Sequence, residues 1–481
     1  MGNILRQTNN YPDQSEAKTE VQIETLSEKP LRPPLGKIKG RFKQETEFFI
    51  LSLSEARKLV QKRIRFQKIL LDCYFLHPEK RMEVLKTFLR AFKDRKLTSQ
   101  ALSLKFLIGK DGDLRKFVVD LNLHRNISIL SLHFSEGPAM TKQRMKFLVL
   151  KLRRMHLSEL KISFGLFPII YPEGLSPLFS GFKHFICLSS LTLDLQYYNP
   201  LSLPAIKELI SSLKRMRRLE RLRISFKDSL IEGKAMEELL SGLGELKHIS
   251  HLSFEFFDSV NLLDVKPFNN VSTMLTSLKC LTSLELILDF RGRYTENPII
   301  THITSGLKSL TSLKSLTLSL FPQAPGYVEY ATEILSEALE EMKSLHKLDL
   351  RFSGVEFTKK YQEKLSSGFK DLKMLKHLSL FLNFKKASEK DVENFSLVFE
   401  NMKALNELHL NFGNSRFNKK MVHNLYENLK RVSSLKHFFL EIHFKELKET
   451  EKEKFISKFS DVKVEFTYTT YKGKWHIHFY L

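Results

Sequence analysis

The chain has 481 residues, 42% of them hydrophobic and 11% aromatic, which is ample material for a packed interior and excludes a globally disordered protein. Its 77 Lys and Arg against 54 Asp and Glu give a net charge of +23, which nominates nucleic acid, anionic membrane or acidic protein as partners without choosing among them. It contains no apolar run of about eighteen residues and no basic-then-apolar leader, so neither a membrane span nor a secretory signal is expected, and the expected location is cytoplasmic.

Residues 1–48 are polar and aperiodic around PLRPPLGK at 30–37, which predicts a disordered tail. The opening MGNILR makes Gly2 a candidate for N-myristoylation, although the pattern wants Ser or Thr where Arg6 stands, and a plain terminus is the alternative. One acyl chain binds membranes marginally; KIKGRFK at 37–43 would add about 1 kcal/mol per basic residue and make the chain peripheral at membranes. Residues 49–98 carry two amphipathic patterns, SLSEARKLVQKRIRFQKILLDCYFL and PEKRMEVLKTFLRAFKDRK, divided at His77 and Pro78. They predict a helical N-terminal cap, because the end of a stack of repeats needs a cover.

From 99 to 460 the chain repeats itself. LHKLDLRF at 345–352 returns as LKHLSLFL at 375–382, apolar at the first, fourth, sixth and eighth places. Aligning on the fourth place gives anchors at Leu130, Leu160, Leu191, Leu222, Leu252, Leu284, Leu316, Leu348, Leu378, Leu408 and Phe438, with a degenerate copy at Leu102. Steps of 28 to 32 residues mark a solenoid. Places four, six and eight alternate with polar residues, as Leu252, Phe254 and Phe256 do around Ser253 and Glu255, which is the period of a strand with one buried face. Between anchors the period changes: in GKAMEELLSGLGELKHI at 233–249, Met236, Leu239, Leu240, Leu243 and Leu246 share one helical stripe. Each unit is therefore strand, loop and helix, and units of this size share one continuous core. The last segment, 461–481, alternates on both sides of Lys472 and Gly473 and predicts a C-terminal β-hairpin cap.

LERLRISFKDSLIEGKAMEELLSGLGELKHISHL at 219–252, with its L-x-x-L-x-L opening, a Gly at the helix start and Leu at helical spacing, resembles the leucine-rich repeat family, in its ribonuclease-inhibitor-like subclass. The resemblance runs over roughly residues 100–465 and implies an α/β horseshoe solenoid of about twelve units with a parallel inner sheet. One departure is plain. The asparagine that the family places ninth stands here only as Asn383, and the eighth place is apolar instead, from Phe134 and Phe164 through to Phe412 and Ile442. A strand extended by one inward residue is expected.

Motifs for chemistry are missing. Cys73, Cys187 and Cys280 are too scattered for a disulfide framework or zinc site and fit a reducing compartment. Cys187 and Cys280 fall four places before their anchors and are read as packing residues. His251, His377 and His437 share the third place but are not on adjacent copies, and a solvated strand surface accounts for them better than a metal or a general base. No phosphate loop, nucleophile elbow or zinc-protease helix occurs, so no cofactor, metal or catalytic residue is expected.

The remaining candidate is the concave face formed by places three, five and seven. Its candidate partner-binding residues are Lys161, Asp194, Arg221, Arg223, Glu255, Glu285, Lys347, Asp349, Arg351, Phe381, His409, Phe439 and Glu441. Over eleven copies these places hold five basic and seven acidic residues, so the excess charge lies elsewhere: in 55–96 and in runs such as KLRR at 151–154 and KRMRR at 214–218. A near-neutral face with two aromatics disfavours nucleic acid there. The resemblance implies a non-catalytic scaffold or adaptor that binds a protein partner through this face. The alternative is a basic binder of nucleic acid or an anionic membrane surface through the helical N-terminal region and the outer helices.

Overall fold

A computed structural model describes residues 127–443, less the connecting stretches 137–140, 165–171, 196–200, 259–265, 291–298, 321–326, 353–358 and 383–387 and residues 228, 230, 232 and 417; outside that span it describes the backbone of five strand segments and residues 83 and 87. All of these lie in one compact unit, Lys43–Leu481.

Strand register carries the architecture. The strands are β1 (Thr46–Phe49), β2 (Lys68–Asp72), β3 (Ala101–Leu107), β4 (Ile129–Glu136), β5 (Glu159–Phe164), β6 (Ser190–Leu195), β7 (Arg221–Lys227) and β8 (His251–Asp258), then β9 (Ser283–Phe290), β10 (Ser315–Leu320), β11 (Lys347–Phe352), β12 (His377–Leu382), β13 (Glu407–Arg416) and β14 (His437–His443). They pair in chain order and all parallel, and a hairpin of β15 (Lys463–Thr469) and β16 (Lys474–Tyr480) closes the row, with β16 antiparallel to β14. The anchors stand opposite one another without a slip: Leu102 faces Leu130, which faces Leu160, and so on to Leu408 and Phe438. A parallel ladder needs a crossover between strands. Here each crossover from β4 onward contains a helix: Lys142–Leu152, Pro172–Gly181, Leu203–Arg215, Gly233–Gly244, Asn270–Ser277, Ile299–Leu307, Tyr327–Glu341, Lys359–Lys370, Glu389–Leu397 and Lys419–Leu429. This is the α/β solenoid that the period predicts.

The interior is shared. Leu222, Leu252 and Leu284 are each 2% exposed or less and belong to one hydrophobic cluster that runs from Ile127 to Ile442. The eighth place is inside as expected: Phe134, Phe164, Phe226, Phe256 and Phe412 are all buried, and Phe134 stacks on Phe164 with ring centroids 5.2 Å apart. Helix Leu203–Arg215 shows how the other layer forms. Ser202 is extended at its N-cap and Pro204 begins the first turn; Ala205, Ile206, Leu209, Ile210 and Leu213 form the buried stripe. A capping box at Ser388 and Asp391 starts helix Glu389–Leu397 in the same role.

Neighbouring helices touch through a place that the sequence reading missed, ten residues before the anchor. Gly181, Ser212, Gly242, Gly306, Ala338 and Gly368 occupy it and are buried. A Cβ on Gly368 would lie 2.9 Å from the Cα of Ser336 on the preceding helix. The backbone ladder also continues past the strand starts. From Ser128 through Ser158, Ser189, Glu220, Ser250, Thr282, Lys314, His346, Lys376 and Asn406 to Lys436, each residue's N–H donates to the carbonyl of the one before it in this row, at 2.7–2.9 Å.

Several expectations need correction. Residues 68–72 form a strand where the amphipathic pattern suggested helix, and Ile69 faces Leu102 in the anchor row. KILLD is short, apolar and next to an unpaired strand edge, so ladder bonding outweighs a weak helical period. Residues 46–49, placed largely in a disordered tail, add a further strand. The sheet therefore has fourteen parallel strands among the described residues, against about twelve expected. The helix predicted over 233–249 ends at Gly244, and Leu246 is buried from the turn beyond it. Cys280 is exposed and Cys187 only half-buried, because their place on the corresponding turns faces outward, whereas the residues two before and one after it point inward. Gly2, Cys73 and most of 49–98 lie outside the described residues.

Candidate functional site

The helices cover one side of the sheet, and the other side displays places three, five and seven of β4 to β14. It is not evenly exposed. Ser163, Ser225, Ser319, Asp349 and Asn411, all at place seven or five, are buried under longer neighbours. Register gives the reason: Ser225 sits between Asp194 and Glu255, and Ser319 between Ile287 and Arg351. Ser163 is hydrogen-bonded to the ring of His133 on the adjoining strand.

Two groupings stand on this face. In the first, Arg221 on β7 reaches Glu159 on β5 at 2.8 Å, and Arg223 reaches Glu285 on β9 at 3.1 Å and Glu255 on β8 at 3.6 Å. Two of these pairs span an intervening strand, a separation of about 9.6 Å from twice the strand spacing. They close because the strand between carries a serine at the same register: Ser190 between Glu159 and Arg221, Ser253 between Arg223 and Glu285. Ser253 also donates to Glu285 at 2.5 Å. Both arginines are thus already engaged, and a partner meets a mixed, nearly neutral surface.

The second grouping is a depression of about 730 Å³ over β11 to β14, lined by Lys347, Asp349, Arg351, His377, Ser379, Phe381, Glu407, His409, Asn411 and Phe439. Asp349 is 8% exposed and accepts from Arg351 at both oxygens, Nε at 3.1 Å and Nη2 at 2.9 Å. That fork raises the guanidinium pKa above its ordinary value, although burial opposes it. His377 contacts Glu407 at 2.9 Å, and the rings of His409 and Phe439 are 6.0 Å apart. Phe439 is 36% exposed, which is unusual for a phenylalanine on a polar face. Its phenylalanines stand on β12 and β14, and Lys347, Asp349 and Arg351 stand together on β11.

Of the candidates from the sequence, Lys347, Asp349, Arg351, Phe381, His409 and Phe439 come together in the depression. Arg221, Arg223, Glu255 and Glu285 come together in the first grouping, while Lys161, Asp194 and Glu441 stand outside both. Asp349 serves as the anchor of Arg351 and is too buried to be a contact itself. Glu159, Ser253 and His377 belong with the candidates and were left out. Their signal is a row of residues at equal register on neighbouring strands, not the residue type. Among the described residues no group of His, Cys, Asp and Glu could hold a metal ion, and no helix is long and apolar enough to cross a membrane.

No family model and no curated protein matches the chain. Among solved structures a leucine-rich-repeat protein of Leptospira interrogans is similar at 14% identity, over 79% of this chain and 93% of that one, with a TM-score of 0.27. At that score the likeness carries no argument, and the fold rests on the strand register and shared core described above.

Proposed function

We propose that the chain is a non-catalytic protein-recognition scaffold, a solenoid of the ribonuclease-inhibitor-like kind acting inside the cell, whose open sheet face holds the partner. One observation carries the reading: the depression over β11 to β14 brings two phenylalanines, an arginine held by a buried carboxylate and a lysine to one side of a parallel ladder. Aromatic and arginine side chains fixed in a recess are the usual anchors of a protein interface, and their neighbours supply complementarity more than energy. Rigid strands also spare the partner the cost of ordering loops.

Phe381→Ala with Phe439→Ala tests it. Proteins that co-purify with the full chain should weaken by about thirtyfold or more, the size of a two-anchor loss. Lys234→Gln with Lys207→Gln, on the helix side, should leave them unchanged. Retention by the double phenylalanine variant, or equal loss from the helix-side variant, would refute the open face as the site.

A further inference from the structure

Within the repeats the excess positive charge is confined to one edge of the solenoid. Take the seven residues from eight to two places before each anchor, in the ten repeats from Leu160 to Phe438: they hold nineteen Lys and Arg against six Asp and Glu, a net of +13. The helices up to that point hold twelve of each sign, and the connections at the opposite ends of the strands hold seven basic and eight acidic. KRMRR and the two arginines of KLRR belong to this band, and their helices end at Arg215 and Leu152. All nineteen cations are exposed.

The continuous ladder from Ser128 to Lys436 fixes the band as a single row of turns, so cations of neighbouring repeats stand within about one Debye length, ~8 Å at physiological salt. Carboxylates reach Lys214, Lys308 and Arg431. Helix capping explains only part of the pattern. Cations in the last turn complement the helix dipole, but that preference fades beyond the turn. Sixteen of the nineteen, among them Arg217, Lys247, Lys279 and Lys373, lie past the end of their α-helix. The imidazole of His184 registers the field: burial first, then Lys183 and Arg153 from two repeats, hold its pKa below the ordinary value.

The same band carries the two most exposed large hydrophobics among the described residues, Ile186 at 66% and Met374 at 50%. Its aromatic residue, Phe185, is buried. A surface that tracks single-stranded nucleic acid stacks bases on exposed rings, and this one offers none among the described residues. Phosphates alone give no use for Ile186 and Met374. An anionic bilayer uses both kinds of residue, cations at the headgroups and apolar side chains just below them. We propose that this edge docks the chain against an anionic lipid surface. The docked edge leaves the open sheet face and the helices uncovered, so the proposal stands apart from the reading of the sheet.

Sedimentation of the full chain with vesicles tests it, using phosphatidylcholine alone and phosphatidylcholine mixed with phosphatidylserine. The chain should bind the mixed vesicles, release with salt, and not bind phosphatidylcholine. Arg215→Gln, Arg217→Gln and Arg218→Gln together should weaken binding on the order of a hundredfold, about fivefold per charge. Lys207→Gln, Lys234→Gln and Lys390→Gln remove the same charge from the helices and should change it little. Ile186→Ser with Met374→Ser should leave binding more sensitive to salt. The arginine variant is also run on a duplex-RNA column, and no binding to mixed vesicles, equal loss from both charge variants, or loss of RNA retention by the arginine variant with its vesicle binding intact would each overturn the proposal. The last result would make the band a nucleic-acid surface. Circular dichroism of every variant checks that the fold survives.

Discussion

Gly368→Ala separates helix propensity from helix packing. In an exposed helix the change stabilises by about 1 kcal/mol, because alanine loses less backbone freedom on folding. In helix Lys359–Lys370 the new methyl would sit 2.9 Å from Ser336 Cα, 3.1 Å from Ser336 Cβ and 3.3 Å from Ser336 O. Comfortable carbon contacts begin near 3.5 Å, and two of these three atoms are backbone that cannot rotate away. The preceding helix must move by roughly half an ångström, and overpacking of that kind costs about 1–3 kcal/mol. The net expectation is destabilisation of about 0–2 kcal/mol, opposite in sign to the propensity scale. Gly242→Ala is the companion, because the three atoms nearest its methyl are all side-chain atoms of Ile210, the nearest at 2.4 Å. Ile210 has a rotamer to give, so this variant should lose less. Solenoids unfold by neighbouring units, so the readout must be local. Urea titration followed at Trp475, the single tryptophan, reports the end nearest Gly368, and amide exchange in helix Lys359–Lys370 against β6 to β8 reports where protection falls. A raised urea midpoint for Gly368→Ala, with slower exchange in that helix, would show that the two helices are not held at this distance.

Three further outcomes are expected. Phe226→Ala empties a fully buried site that meets Phe254 edge-on at 6.2 Å and should cost about 3–5 kcal/mol by denaturation; a loss under about 1 kcal/mol would mean that the eighth place is not core. A double-mutant cycle on Arg223 and Glu285 should give a coupling below about 1 kcal/mol, since the arginine is exposed and the carboxylate only half-buried, and a larger value would assign the bridge a structural role. His184 has a lowered pKa, so the unfolded chain takes up its proton first; the stability it permits is full above the ordinary histidine value and is lost as pH falls through the folded value. Lys183→Gln with Arg153→Gln should move the imidazole pKa back upward in an NMR titration, and an unchanged midpoint would deny the cationic field of the band.

Much of this was legible because a solenoid repeats its grammar. A leucine every thirty residues or so leaves the register almost no freedom, since a slip of one residue would turn Leu222 outward and Arg223 inward. The extended eighth place was readable for the same reason. What failed was local. KILLD at 68–72 satisfies a helical and a strand pattern equally, and only the open edge of β3 decides between them. The small residue ten places before the anchor was in plain sight as Gly181, Gly242, Gly306 and Gly368, but a glycine inside a helix reads as a weakness until the neighbouring helix is known. Burial of Ser225 and Asp349 on the polar face depends on which long side chains flank them on the next strands. Single-strand patterns hold no such information.

Register also decides what each surface has left to offer. On the open face Arg221, Arg223 and Arg351 are bound to carboxylates of this chain, so their charge is largely compensated before any partner arrives. An acidic ligand would have to displace Glu159, Glu285 or the buried Asp349, each already in place and partly desolvated. Along the edge, by contrast, carboxylates are outnumbered about three to one by cations, on turns held in one row by the backbone ladder. The two surfaces therefore suit different chemistry. A protein that reads the sheet must bring a nearly neutral, polar surface and an apolar group for the recess beside Phe381 and Phe439. Polyanions are drawn to the edge. If an acidic peptide bound the sheet tightly while Arg223→Ala with Arg351→Ala left its affinity unchanged, this division of labour between the face and the edge would be wrong.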